Sequence, residues 1–88
     1  MITKNLCVLN ELGIHARVAS KITGCCSNYK SRIEVLKGGR RYNIKNVLGA
    51  ITLNVKCGGY VEIEIEGDDE EEAAIAIEKL FAEKFGEK

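Results

Sequence analysis

Residues 60–66 read Tyr-Val-Glu-Ile-Glu-Ile-Glu, and this strict alternation decides the fold class. A β-strand sends successive side chains to opposite faces, so Val61, Ile63 and Ile65 are expected in a core while Glu62, Glu64 and Glu66 meet water. A sheet that is wet on one face needs covering on the other only. The period changes directly afterwards. Ala73, Ala74, Ile77, Leu80, Phe81 and Phe85 recur at helical spacing behind the acidic run 68–72, with Lys79, Lys84 and Lys88 toward the end. Charges therefore complement a helix dipole at both ends, and helix start plus solvated face is a sufficient explanation of the acids.

Working back from that strand, Cys57-Gly58-Gly59 reads as a turn. Residues 33–37 and 40–44 read as two strands joined by Gly38-Gly39, because paired glycines supply the positive φ of a tight hairpin. Leu6-Cys7-Val8-Leu9 is a short apolar run expected as a buried strand, followed by a loop at Asn10-Glu11-Leu12-Gly13. From Ala16 the apolar positions Val18, Ala19, Ile22, Cys25 and Cys26 share one helical face, opposite Arg17, Ser20 and Lys21, and this helix should end near Ser27-Asn28. Asn46 can cap a short helix with Val47, Leu48 and Ile51 on its apolar side, although Gly49 weakens it. The order β-α-β-β-α-β-α predicts an α+β, open-faced sandwich: a four-stranded antiparallel sheet with helices on one face, residues 1–88 forming a single domain.

Composition narrows the function classes. Eighty-eight residues suffice for one core, and 45% hydrophobic with 30% charged residues is an ordinary globular mixture. No apolar run approaches the roughly 20 residues that span a bilayer, and Met1–Asn5 is too short and polar to begin a signal peptide, so the cytosol is expected and membrane insertion is not. There the four cysteines, Cys7, Cys25, Cys26 and Cys57, should be reduced and buried as small hydrophobes. A zinc site needs Cys or Cys/His pairs at short spacing, whereas Cys25 and Cys26 are adjacent and the lone histidine, His15, lies ten residues upstream. Neither a metal nor another cofactor is expected. Net charge is zero, yet residues 1–60 hold ten Lys/Arg against two acids and residues 61–88 eleven acids against three lysines. In one domain most of this should be mutual neutralisation across sheet and helix. With only Tyr42 and Tyr60 available as stacking platforms on the strands, nucleic acid is not an expected partner.

The residues suited to chemistry are Gly13-Ile14-His15-Ala16-Arg17, where a loop becomes a helix. If His15 is the cap, the N–H groups of Ala16, Arg17 and Val18 lack intrahelical partners and make an anion site at the positive end of the dipole. Arg17 adds a planar, permanently charged donor beside it. A histidine nitrogen there could accept a phosphoryl group whose oxygens are held by amides and guanidinium already in place. The dipole also disfavours imidazolium and so keeps the ring neutral and nucleophilic.

This pentapeptide resembles the active-site signature of the histidine-containing phosphocarrier family, HPr, of the bacterial phosphoenolpyruvate-dependent sugar phosphotransferase system. The likeness extends to the length, the position of His15, the Asn46-Val47-Leu48-Gly49 segment and the run Gly67-Asp68-Asp69-Glu70-Glu71-Glu72-Ala73 leading into the last helix. The resemblance implies that His15 is phosphorylated on a ring nitrogen by enzyme I and passes the group to IIA components, steadied by Arg17. Such a protein is a monomeric carrier with a covalent phosphohistidine, and turns over no small substrate of its own. It implies too that Val47, Leu48 and Ile51 form the apolar patch on which those partners dock, with at least Leu48 exposed.

The sequence departs from the family pattern at several positions. Val18 stands where the family usually has proline, losing the fixed φ that pre-organises the first helical turn. Asn46 replaces the serine that a regulatory kinase modifies in part of the family; asparagine caps as well as serine and cannot be phosphorylated, so no regulatory residue is expected there. Leu12 and Asn54 differ from the polar and glycine residues of the pattern. An alternative reading is therefore an HPr-like regulatory or interaction protein that binds partners without efficient phosphoryl transfer.

Overall fold

A computed structural model describes residues 1–46, 49–50 and 54–88. The elements that lie wholly within these residues are the strands β1 (Ile2–Cys7), β2 (Arg32–Lys37), β3 (Arg40–Asn43) and β4 (Tyr60–Glu66) and the helices α1 (Ala16–Cys26) and α2 (Glu70–Ala82), the last followed by a 3-10 turn at Lys84–Gly86. The strands form one antiparallel sheet in the order β1-β4-β2-β3, so the alternating strand lies inside it, hydrogen-bonded on both sides. This is the expected α+β architecture.

Register explains which face is dry. Val61, Ile63 and Ile65 lie across from Leu6, Lys4 and Ile2 on β1, while Ile63 and Ile65 meet Val35 and Ile33 on β2. These strand residues share a core with Val18, Ala19, Ile22 and Cys26 of α1 and Ala73, Ala74, Ile77 and Phe81 of α2. The hairpin turn has Gly38 and Gly39 at φ of 59° and 77°, the double positive φ of a type I′ turn, whose twist suits the flanking strands.

Four expectations need correction. β1 begins at Ile2, upstream of the apolar run, and Val8 already lies beyond it. Its core-facing position 4 is a lysine whose ammonium reaches out to Glu78 at 3.1 Å, which hides the alternation. The last helix stops at Ala82, although Phe85 continues its apolar spacing. Lys84 and Phe85 have φ of 57° and 56°, and this reversal drops the Phe85 ring into the core, edge-to-face on Phe81 at 4.7 Å. Glu64 does not meet water freely: it is buried beneath Arg41, which donates to it. Finally, the cysteines are not uniformly buried. Cys26 is buried, Cys7 and Cys25 are half-buried, and Cys57 is exposed in its glycine turn.

The two oppositely charged halves neutralise each other as expected. Lys4 pairs with Glu78, Arg32 with Glu66, Arg41 with Glu64, and both Arg17 and Lys21 with Glu87. The acidic run does more than start a helix. Asp69 accepts hydrogen bonds from the Lys30 N–H at 2.8 Å, the Ser31 N–H at 2.9 Å and the Ser31 hydroxyl. Those donors hold its carboxyl below the usual range and clasp the start of α2 to the segment leading into β2. Among the described residues no helix is long and apolar enough to cross a membrane.

Candidate functional site

The loop before α1 is pinned from three sides. The Asn10 side-chain amide, fully buried, donates to the Gly13 carbonyl at 2.8 Å, and the Gly13 N–H returns to the Asn10 carbonyl at 3.2 Å. The Ile14 N–H donates to the Val55 carbonyl at 2.8 Å and the Glu11 N–H to the Lys88 carbonyl at 2.6 Å. Gly13 has φ +72°, and a Cβ there would sit 2.5 Å from the Val55 carbonyl oxygen, so only glycine allows this approach.

His15 is the N-cap of α1. Its backbone is extended at φ −126°, ψ −177°, its carbonyl accepts from the Ala19 N–H at 2.7 Å, and its side chain makes no capping bond. Ile14 and Ala19, both buried, occupy the two positions of a hydrophobic staple across the helix start. The imidazole is thus carried at the positive end of an 11-residue helix without being consumed by it. Ala16 and Arg17 are exposed while Val18 is fully buried, and the first-turn N–H groups of all three lack an intrahelical acceptor.

A residue that sequence reasoning missed dominates the geometry. Glu87 accepts from Arg17 at two points, Nε at 3.0 Å and Nη2 at 2.6 Å, and from Lys21 Nζ at 2.9 Å. Its Oε1 also lies 3.7 Å from His15 Nε2, an atom that is enclosed and, among the described residues, has no hydrogen-bond partner. The hydrogen bonds and positive charges of Arg17 and Lys21 pull its pKa down to about 2, Arg17 first. Lys21 further ties this segment down by donating to the Phe85 carbonyl at 2.8 Å. No local pattern could have announced Glu87, which is 70 residues from Arg17. Lys21, expected as part of a solvated helix face, belongs to the same cluster.

Of the expected site residues, His15, Ala16, Arg17 and Val18 therefore fall together at the helix start. The expected docking residues Val47, Leu48 and Ile51 lie outside the described residues. Asn46, next to them, accepts at its carbonyl from the Ala50 N–H at 3.0 Å, and Gly49 and Ala50 are helical.

Known proteins similar to the chain share one family. A family model described as the PTS HPr component phosphorylation site matches residues 2–83. The phosphocarrier protein HPr of Treponema pallidum is 39% identical over 87 residues, covering 99% of each chain. That of Cupriavidus necator is 34% identical over 87 residues, covering 99% of this chain and 98% of the relative. Among solved structures, HPr-C-His from Thermoanaerobacter tengcongensis superposes with a TM-score of 0.92 at 38% identity, over 100% of this chain and 99% of that one. A family match across nearly the whole chain, with relatives above 30% identity along its full length, places the chain in the HPr phosphocarrier family of the phosphotransferase system.

Proposed function

We propose that His15 accepts a phosphoryl group from phosphorylated enzyme I and passes it to IIA proteins of sugar permeases, the whole chain acting as one monomeric domain in the cytoplasm. The observation that carries this reading is that the cations beside His15 already hold an anion: the Glu87 carboxylate, bidentate on Arg17 and bonded to Lys21. A phosphoryl group presents the same kind of oxygens with more charge, and Arg17, 64% exposed, is free to swing toward it.

The chemistry follows from the ring's surroundings. Glu87 beside Nε2 favours the tautomer with its proton there, leaving the Nδ1 lone pair as nucleophile. Nδ1 attacks phosphorus, the N–P bond forms as the bond from phosphorus to the donor breaks, and the Nε2 proton stays on the ring. The developing charge on the phosphoryl oxygens is met by the first-turn N–H groups of Ala16, Arg17 and Val18 and by the Arg17 guanidinium. Arg17 must exchange Glu87 for phosphate at this step. Val47, Leu48 and Ile51 are assigned to partner docking. Asn46 offers no hydroxyl for a regulatory phosphate.

The hold of Glu87 on Arg17 also favours a second reading, an HPr-like protein that binds partners without efficient transfer. One experiment separates them: incubation with enzyme I and phosphoenolpyruvate, read by intact mass. A single acid-labile phosphate on the parent chain and none on His15→Ala is expected. An undiminished adduct on His15→Ala refutes the assignment, and no adduct on either favours the second reading.

A further inference from the structure

Three exposed features remain unexplained: the charged outer face of the sheet, the leucines of the segment before α1, and Ile75 on α2. The outer face is paired within itself, since Arg32 and Arg41 are bound by Glu34, Glu64 and Glu66. Ile75 borders a cleft shared with Ile2, Lys4 and Glu78, none of which belongs to the His15 cluster. Leu12 differs from both in the company it keeps: the cleft of about 440 Å³ that it borders has Glu11, Arg17 and Glu87 among its other walls. Two of those residues are the groups that surround His15.

We infer that Leu12 is a docking residue for the protein that donates the phosphoryl group, entering an apolar socket on that donor and setting the affinity of the encounter without touching the chemistry. The inference rests on the transfer reading of His15. Three observations support it. First, Leu12 is 72% exposed although it sits in a turn whose neighbouring residues are tied down on both sides, by the Asn10–Gly13 hydrogen bonds and the Glu11–Lys88 hydrogen bond. A knob on a rigid turn loses little entropy when it is covered, which is what makes an exposed apolar side chain effective in binding. Scattered exposed leucines on mobile loops have no such advantage.

Second, its place in the chain puts it under any donor. Leu12 lies three positions before His15, so their Cα atoms lie no more than about 11 Å apart at full extension. A protein that brings phosphorus to within bonding distance of the ring covers roughly 800 Å² on each side, a disc of about 16 Å radius. Leu12 lies inside that disc. Third, the two charged side chains of the cleft that stand beside His15 are committed to each other, Arg17 being held at two points by Glu87. The residue with most to gain from losing water there is the leucine. The donor is thus expected to present an apolar side-chain pocket beside its phosphorylated residue, on the flank of His15 occupied by residues 10–12.

The test compares the parent chain with Leu12→Asn and Leu12→Met, using enzyme I and phosphoenolpyruvate over a range of carrier concentrations, and in parallel phosphoramidate as a small donor that needs no docking. Leu12→Asn should raise the KM of the enzyme I reaction about tenfold, the effect of leaving one buried leucine unmatched, with kcat within twofold. Leu12→Met, similar in volume, should stay within about threefold. Labelling by phosphoramidate should be the same in all three. An unchanged KM in Leu12→Asn overturns the docking role while leaving transfer intact, and an equal loss with phosphoramidate overturns it by making Leu12 part of the His15 site. If neither donor labels the parent at His15, both this inference and the transfer reading fall.

Discussion

Replacing Gly13 by alanine tests whether the backbone approach that starts α1 is as tight as described. Two costs add at this position. A side chain at φ +72° leaves the glycine region, at roughly 1–2 kcal/mol. The new Cβ would also stand 2.5 Å from the Val55 carbonyl oxygen and 2.8 Å from the Lys56 Cα, both backbone atoms that cannot rotate away. Moving them is an overpacking problem of about 1–3 kcal/mol. The sum, about 2–5 kcal/mol, is a large part of the 5–15 kcal/mol typical of a domain. Gly38→Ala is the control: φ is +59°, but nothing lies within 4 Å of the new Cβ, so only the first cost applies. Thermal unfolding followed by circular dichroism should lower the Tm of Gly13→Ala by at least about 10 °C, and that of Gly38→Ala by roughly half as much, at about 4–8 °C per kcal/mol. Equal losses in the two variants would refute the reasoning, because the close approach would then contribute nothing. Since the same contact carries the Ile14–Val55 hydrogen bond, Gly13→Ala should also slow phosphoramidate labelling of His15, whereas Gly38→Ala should not.

Glu87→Gln should speed His15 phosphorylation by roughly two- to fivefold, the scale of one partly exposed ion pair, because the bidentate bond to Arg17 outweighs the contact with Nε2. The carboxyl is depressed to about 2, so its hold is complete above the usual carboxylate range and is lost only as pH falls through about 2. The ratio of variant to parent rates should therefore be flat from about pH 5 to 8, and a ratio that changes in that interval would contradict it. Gly24 lies exposed within α1 with nothing within 4 Å of a new Cβ, so Gly24→Ala should stabilise by about 0.5–1 kcal/mol in urea titrations. A disulfide reagent should modify Cys57 quickly and Cys26 only on unfolding, since burial pushes the Cys26 thiol up to about 12; loss of the fast phase in Cys57→Ser is the check.

What the sequence disclosed depended on how locally each signal was written. β4 repeats its pattern every second residue, and its bounds were legible to the residue. α1 was legible because its apolar face is uninterrupted. β1 was misjudged because Lys4 occupies a core-facing position and escapes along its own stem, a solution invisible to a hydrophobic pattern. Phe81 and Phe85 misled in the opposite direction, since a left-handed turn reproduces the contact that a continuing helix would have made. The site divides in the same way. His15 and Arg17 stand two residues apart, and their chemistry is readable from the segment itself. Glu87 and the clasp of Asp69 on Ser31 join residues tens of positions apart, and nothing in either segment names its partner.

The strand order has a consequence for how the chain leaves the ribosome. β1 and β2 are separated in the sheet by β4, which is made more than twenty residues after β2 is complete. Until it emerges, the hairpin of β2 and β3 is, among the described residues, the only pairing of the final sheet that can exist, and β1 waits with an open edge. Residues 1–60 together carry an excess of eight positive charges beside ribosomal RNA, because most of their counter-ions lie in the residues still to be translated. Completion of the sheet is thereby postponed until β4 has been made, when one central strand joins both neighbours at once.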